Sequence, residues 1–146
     1  MNFTMRPIGI IHTPFSDRDN MPIQASRSLA IGKVEVYPEY VDGLQDLGGF
    51  SHIILLYVWH ASEGYDLLVK PFLDDQLHGV FATRFPRRPN QIGISIVHLQ
   101  SLQNNTLVVE GVDMLDGTPL LDIKPYVPDF DIRTETRSGW YETRKR

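Results

Sequence analysis

Short apolar runs, broken repeatedly by glycine and proline, set the strongest limit on what this chain can form. Val, Ile, Leu and Tyr gather in Ile8–His12, Leu29–Tyr37, His52–Trp59, Gly79–Thr83, Ile92–Leu99, Leu107–Val112 and Leu120–Lys124. The 11 Gly and 10 Pro are spread between these runs rather than collected in one linker. Runs of this length bounded by such breakers read as strands. In Gly32-Lys33-Val34-Glu35-Val36-Tyr37 the polar side chains fall on one face and the valines on the other, the pattern of a half-buried strand. His52–Trp59 is nearly continuous apolar, which suits a strand buried on both faces or a core helix. Helix signals are scarce. Val41–Leu47, ended by Gly48-Gly49, reads as one short turn or helix, and Ala61–Asp66 as another turn. The expectation is an all-β domain with small helical inserts, and the spacing leaves barrel and sandwich both open.

At 146 residues the chain is long enough for one domain with a proper core. We expect that domain over 1–132, followed by a basic tail over 133–146. The tail holds five basic and two acidic residues with little periodicity. It reads as a solvated end, or as a small basic arm for a polyanion. The absence of cysteine excludes disulfides, thiolate metal sites and a cysteine nucleophile. A net charge of −4 argues against a protein that coats nucleic acid by charge alone. No apolar run approaches the ~20 residues that span a bilayer. Met1–Arg6 is not followed by an apolar signal core, so the default expectation is the cytoplasm and no membrane.

The densest polar segment is Ala82-Thr83-Arg84-Phe85-Pro86-Arg87-Arg88-Pro89-Asn90-Gln91-Ile92-Gly93. Two prolines stiffen it, and arginine forks match carboxylate or phosphate. An anion site is the sharper reading, and a hairpin loop with solvated arginines is the plainer one. A second segment, Asp113 to Tyr126, opens with an Asp116-Gly117 turn followed by Thr118-Pro119. Asp122 and Lys124 lie two apart, on one face of a strand, where a surface ion pair is the plain account. The histidines are His12, His52, His60, His78 and His98. None has metal-site spacing, so no metal is expected. His60 ends an apolar run and is expected at a rim. There is no GxGxxG, no phosphate loop and no GxSxG elbow in the chain.

Four ordered motifs resemble one family. Pro7-Ile8-Gly9-Ile10-Ile11-His12-Thr13-Pro14-Phe15 is similar to its opening. Tyr40, Gly43-Leu44, Asp46-Leu47 and Gly49-Phe50-Ser51-His52-Ile53 resemble its second motif. Gly79 to Arg84, with Arg88-Pro89-Asn90 and Ile92-Gly93-Ile94-Ser95, resembles its arginine loop. Leu115 to Tyr126 resembles its closing motif. The family is the TsaA-like, TrmO-type S-adenosylmethionine-dependent tRNA methyltransferases, and the resemblance covers about residues 6–130. The chain differs from the family's usual pattern at Ile23, Phe85 and Gln91, and it is expected to be a short member, without the C-terminal extension of the longer bacterial ones.

The resemblance implies a compact β-barrel, a homodimer, S-adenosyl-L-methionine as cofactor and tRNA as partner. It implies N6-methylation of N6-threonylcarbamoyladenosine beside the anticodon. Carried over residue by residue, cofactor contacts fall on Pro22, Ile23, Gln24, His60, Ala61, Arg84, Ile94, Leu115, Asp116, Gly117 and Thr118. Arg84 is expected to take the methionyl carboxylate or an acceptor anion. Asp116 and the Gly117 and Thr118 amides are expected to hold polar groups of the cofactor. Arg87, Arg88 and Lys124 are expected on the substrate. His60, Arg84 and Asn90 are the candidate catalytic residues, with His60 either a base or a packing group. Two rival readings remain: a non-catalytic S-adenosylmethionine-binding sensor or accessory module, and a methyltransferase with another acceptor.

Overall fold

The computed structural model describes residues 1–17, 28–72 and 74–143. Its strands are β1 (Gly9–His12), β2 (Ile31–Val36), β3 (His52–Val58), β4 (Leu68–Val69), β5 (His78–Gly79), β6 (Ile92–Gln103), β7 (Thr106–Glu110) and β8 (Thr118–Pro125). The one α-helical turn among the described residues is α1 (Pro128–Asp131). Six strands close into a barrel in the order β1-β2-β7-β6-β3-β8, and every neighbouring pair is antiparallel. Closure decides between the two architectures that the spacing left open. A closed sheet removes the unpaired edges that a sandwich must protect.

Alternation places the core. Ile11, Val34, Val36, Ile53, Leu55, Tyr57, Val97, Leu107, Val109 and Leu120 point inward and are essentially inaccessible. Their outward neighbours are polar, half-buried or, as at Ile96, exposed. Irregularities at Leu56/Tyr57 between β3 and β8, and at Leu99/Ser101 between β6 and β7, bend the sheet as closure requires.

Three expectations change. His52–Trp59 is a strand with one buried face, because a barrel has a single interior. Its outward Ile54, Leu56 and Val58 are half-buried. The run Gly79–Thr83 is strand only at its first residue and then a 3-10 turn over Val80–Ala82. There the Thr83 amide and hydroxyl both donate to Val80 O, at 3.1 and 2.8 Å, so local bonds replace ladder bonds. The helix expected over Val41–Leu47 is two 3-10 segments, Pro38–Leu44 and Leu47–Gly49.

The chain divides into two compact units. One is the barrel, Met1–His60 with Ile92–Tyr126; the other joins Ala61–Gln91 to Val127–Arg146. The second unit contains the β4–β5 ribbon, with Val69 and Val80 buried. Its C-terminal segment is tied in by Trp140, whose indole Nε1 donates to Ala82 O at 2.8 Å. Residues 133–143 therefore carry an ordered anchor as well as surface charge.

Leu55 is fully buried at the centre of β3. Leu55→Ala is expected to lower unfolding stability by about 2–5 kcal/mol through lost transfer energy and a residual cavity. Urea unfolding should show the midpoint fall with an unchanged slope.

Candidate functional site

Register gathers one group of expected site residues at one end of the barrel. Val58 at the end of β3 pairs with Ile92 at the start of β6, and Tyr57 pairs with Leu120 near the start of β8. Ile11 near the end of β1 pairs with Thr118. His60, Ile94 and Leu115–Thr118 therefore converge on the same mouth. The connection from β7 to β8 crosses it, with Val112 and Met114 in the core and Asp113 buried.

That crossing is held by hydrogen bonds along its length. Gly111 N donates to Ala30 O at 2.8 Å, and Ser28 Oγ donates to Val112 O at 2.7 Å. Thr13 Oγ1 donates to Met114 O at 2.8 Å. Asp116 N and Gly117 N donate to Phe15 O and Ile11 O, at 2.8 and 3.0 Å. Gly117 has φ +81°, the left-handed region that glycine enters without a Cβ penalty. Of the Gly117 and Thr118 amides expected to hold polar groups of the cofactor, that of Gly117 is thus used within the turn. The turn's exposed polar group is the Asp116 carboxylate, which accepts from Thr13 N at 3.0 Å and lies 3.7 Å from His12 Nδ1.

Beneath the crossing lies a polar chain that sequence reasoning missed. Ser95 Oγ donates to Asp113 Oδ1 at 2.5 Å. A hydroxyl has one proton, so the 2.7 Å contact between Tyr57 and Ser95 has Tyr57 Oη as donor. All three residues are buried. A buried carboxylate is tolerated only when it is met by donors. The available signal was Ser95 at an inward position of an alternating strand. Its partner lies 18 residues away, and only the crossing brings them together. Gly93 is part of the same arrangement. A Cβ there would sit 2.3 Å from the Tyr57 ring and 3.0 Å from Trp59, so glycine makes room for that edge-to-face pair.

His60 is exposed, and its ring has no hydrogen-bond partner among the described residues. Its backbone N donates to Val58 O at 2.8 Å and turns the chain out of the barrel. Ile94 is 43% exposed, outward on β6 opposite Leu56. Lys124 is set apart from this mouth. It pairs with Ile54, six residues along β8 from Thr118 or about 20 Å at strand rise. It forms an exposed ion pair with Asp122 at 3.0 Å. Pro22, Ile23 and Gln24 lie outside the described residues.

In the second unit the three arginines separate. Arg87 donates to Glu63 O at 2.5 Å and to Asp66 Oδ2 at 3.3 Å. Arg88 Nη1 donates to Thr83 O at 2.9 Å and Phe85 O at 3.1 Å. Gln91 Nε2 donates to Gly64 O at 3.1 Å. These side chains brace the loop internally, which bears on the expectation that Arg87 and Arg88 face substrate. Arg84 is exposed and, among the described residues, makes no hydrogen bond or ion pair. Asn90 is exposed too, and Ala61 is exposed where the chain enters this unit. Among the described residues no three metal-ligating side chains converge.

The sequence pattern of the tRNA-methyltransferase O N-terminal domain matches residues 10–132. The chain belongs to this family. It is 56% identical over 138 residues to a probable S-adenosyl-L-methionine-binding protein of Pyrococcus abyssi, covering 94% of this chain and 75% of that protein. It is 36% identical over 138 residues to the tRNA (adenine(37)-N6)-methyltransferase of Mus musculus, covering 89% of this chain and 32% of that protein. The crystal structure of TrmO from Pseudomonas aeruginosa superposes with a TM-score of 0.81 at 36% identity, over 97% of this chain and 62% of that one. The chain thus spans less than two thirds of that TrmO structure. The closed barrel is the TrmO-family fold, as the resemblance implied.

Among the described residues, one buried side-chain group lacks a partner. Ser62 Oγ is inaccessible and has no hydrogen bond among the described residues. An unsatisfied buried hydroxyl costs about 1–3 kcal/mol. Ser62→Ala is therefore expected to leave the thermal midpoint unchanged or raise it, which a calorimetric melt would show. A clear fall would mean that the hydroxyl is satisfied.

Proposed function

We propose that this protein is an S-adenosyl-L-methionine-dependent methyltransferase that acts on tRNA and methylates N6 of N6-threonylcarbamoyladenosine next to the anticodon. The observation that carries the reading is the convergence of His60, Ile94 and Leu115–Thr118 on one barrel mouth, in a chain of the TrmO family. Support for the cofactor comes from its relatives, which include proteins named as S-adenosyl-L-methionine-binding and the mouse methyltransferase.

The residues fit such a cofactor by their chemistry. It carries a carboxylate, and Arg84 offers a guanidinium free of internal bonds among the described residues, where fork geometry favours a carboxylate. Ile94 and Leu115 offer apolar surface at the mouth, and Asp116 offers an exposed acceptor. When bound, the cofactor supplies an electrophilic methyl group on a sulfonium. The protein's task is to fix two partners in line and exclude water, which can contribute about 7–11 kcal/mol. His60 is the candidate base for the acceptor N–H. Asn90 is the candidate for orienting polar groups beside the arginine motif. Arg87 and Arg88 act by stiffening the loop that presents Arg84.

Purified protein titrated with S-adenosylmethionine, then supplied with bulk tRNA and labelled methyl donor, tests the reading. The expected outcome is binding followed by label in tRNA, with one modified nucleoside on digestion. Arg84→Ala should weaken cofactor binding by about tenfold or more, the loss of a charge-assisted pair. Unchanged affinity would remove Arg84 from the site. A second reading, a binding module without transfer, is favoured by the names of the archaeal relatives. Binding without label in tRNA would select it.

The protein is proposed to act as a homodimer, in the cytoplasm. The outer face of β3 and β6 carries Ile92, Ile94 and Ile96, at 39%, 43% and 45% exposure. Sedimentation at micromolar concentration should give twice the chain mass, and a monomer would refute the dimer.

A further inference from the structure

The second unit contains a clamp that none of the expected site residues includes. Asp74 is buried, its side chain 2% exposed, and its Oδ2 accepts from His78 Nε2 at 2.5 Å. Its Oδ1 accepts from the amides of Asp75 and Gln76, at 2.7 and 3.1 Å. The carboxylate is thus fixed, and it fixes the imidazole plane. Trp140 stacks on that plane, with ring centroids 4.6 Å apart and an interplanar angle of 17°. The same indole donates through Nε1 to Ala82 O at 2.8 Å. A residue far along the chain therefore grips the loop at two points, one before and one within the Val80–Ala82 turn that leads into Arg84.

We propose that Trp140 is a positioning residue. By clamping the C-terminal segment onto the Ala61–Gln91 insert, it holds the loop from Val80 to Arg88 in the conformation that leaves the Arg84 guanidinium free. Three features support this. The loop is short of regular structure, with a 3-10 turn of three residues and one proline, Pro86. Beyond that turn it is held by side-chain bonds from Thr83 and Arg88. Ala82 O is the carbonyl two residues before Arg84, so a shift there redirects the arginine. The hydrogen bond and the stacked pair each carry a modest stabilisation. Losing both raises local opening by about tenfold or more, without requiring the barrel to unfold.

The link from loop to ligand rests on the reading of Arg84 as an anion contact for S-adenosylmethionine, so the test separates the two claims. Hydrogen exchange on the full chain reads the clamp without any ligand. Trp140→Ala should speed exchange of the Val80, Thr83 and Arg88 amides, which are bonded to Leu67 O, Val80 O and Pro86 O, by about tenfold. The β3–β6 ladder should keep its protection. Trp140→Phe keeps the stacked ring and loses the Nε1 donor, so it should fall between the two. Unchanged exchange in that loop would overturn the proposal. Titration with S-adenosylmethionine then reads the consequence. Trp140→Ala should weaken affinity about fivefold in the parent chain and not at all in an Arg84→Ala background, the non-additivity expected of coupled residues. Equal weakening in both backgrounds would overturn action through Arg84. If Arg84→Ala alone leaves affinity unchanged, the role of Arg84 fails, and the exchange result still decides the clamp.

Discussion

The bond from Ser95 to Asp113 ties the chain that crosses the barrel mouth to the barrel wall. A carboxylate placed there without a donor would be strongly unfavourable. With one, it fixes the register of everything around it. Ser95 must face inward, so Gly93 also faces inward two residues earlier, and the Tyr57 and Trp59 rings occupy the space a side chain would fill. Asp113 in its bonded position directs its neighbours Val112 and Met114 into the core. The same crossing then reaches the Asp116-Gly117 turn, which is stitched to Ile11 in β1 and to Phe15 just beyond it. The mouth is therefore a consequence of one buried polar contact and the apolar residues on either side of it.

Much of the strand content was legible because period-two alternation survives in the sequence. In β2 the valines and Gly32 are buried while Ile31, Lys33 and Glu35 are exposed. Closure was not legible. It depends on β1 pairing with β8, a contact between residues more than 100 positions apart, and no local pattern encodes that. The apolar run of β3 misled for a related reason. An outward isoleucine, leucine and valine on a half-buried outer face look the same in sequence as residues in a second core. At Gly79–Thr83 strand-forming residues were overruled by a threonine whose hydroxyl caps a turn.

The turns and the arginine-rich loop of the candidate site were legible as local features of the sequence. It was not legible in which arginine is free. Arg84, Arg87 and Arg88 are equivalent in composition, and only their hydrogen bonds distinguish two braces from one presented charge. Lys124 illustrates the converse. Its spacing from Asp122 suggested a plain ion pair, and the structure has that pair, far along β8 from the turn.

A closed barrel has no free edge to add a strand or peptide to, so recognition must come from its connections and outer faces. In this chain the connections are unequal. The crossing from β7 to β8 is buried and bonded at nearly every step, which suits a rigid floor. The insert from Ala61 to Gln91 buries few large side chains, Val69 and Val80 among them, and exposes Tyr65, Leu67, Leu68, Phe72, Leu77 and Phe81. Such a segment has low intrinsic stability and would open easily by itself. Its order comes from polar contacts instead: Arg87 to Glu63 and Asp66, Arg88 to the loop carbonyls, and the Asp74–His78–Trp140 stack. The methyl transfer proposed for this chain works by alignment and needs a presented charge held still. Polar bracing supplies that rigidity where the hydrophobic core does not reach.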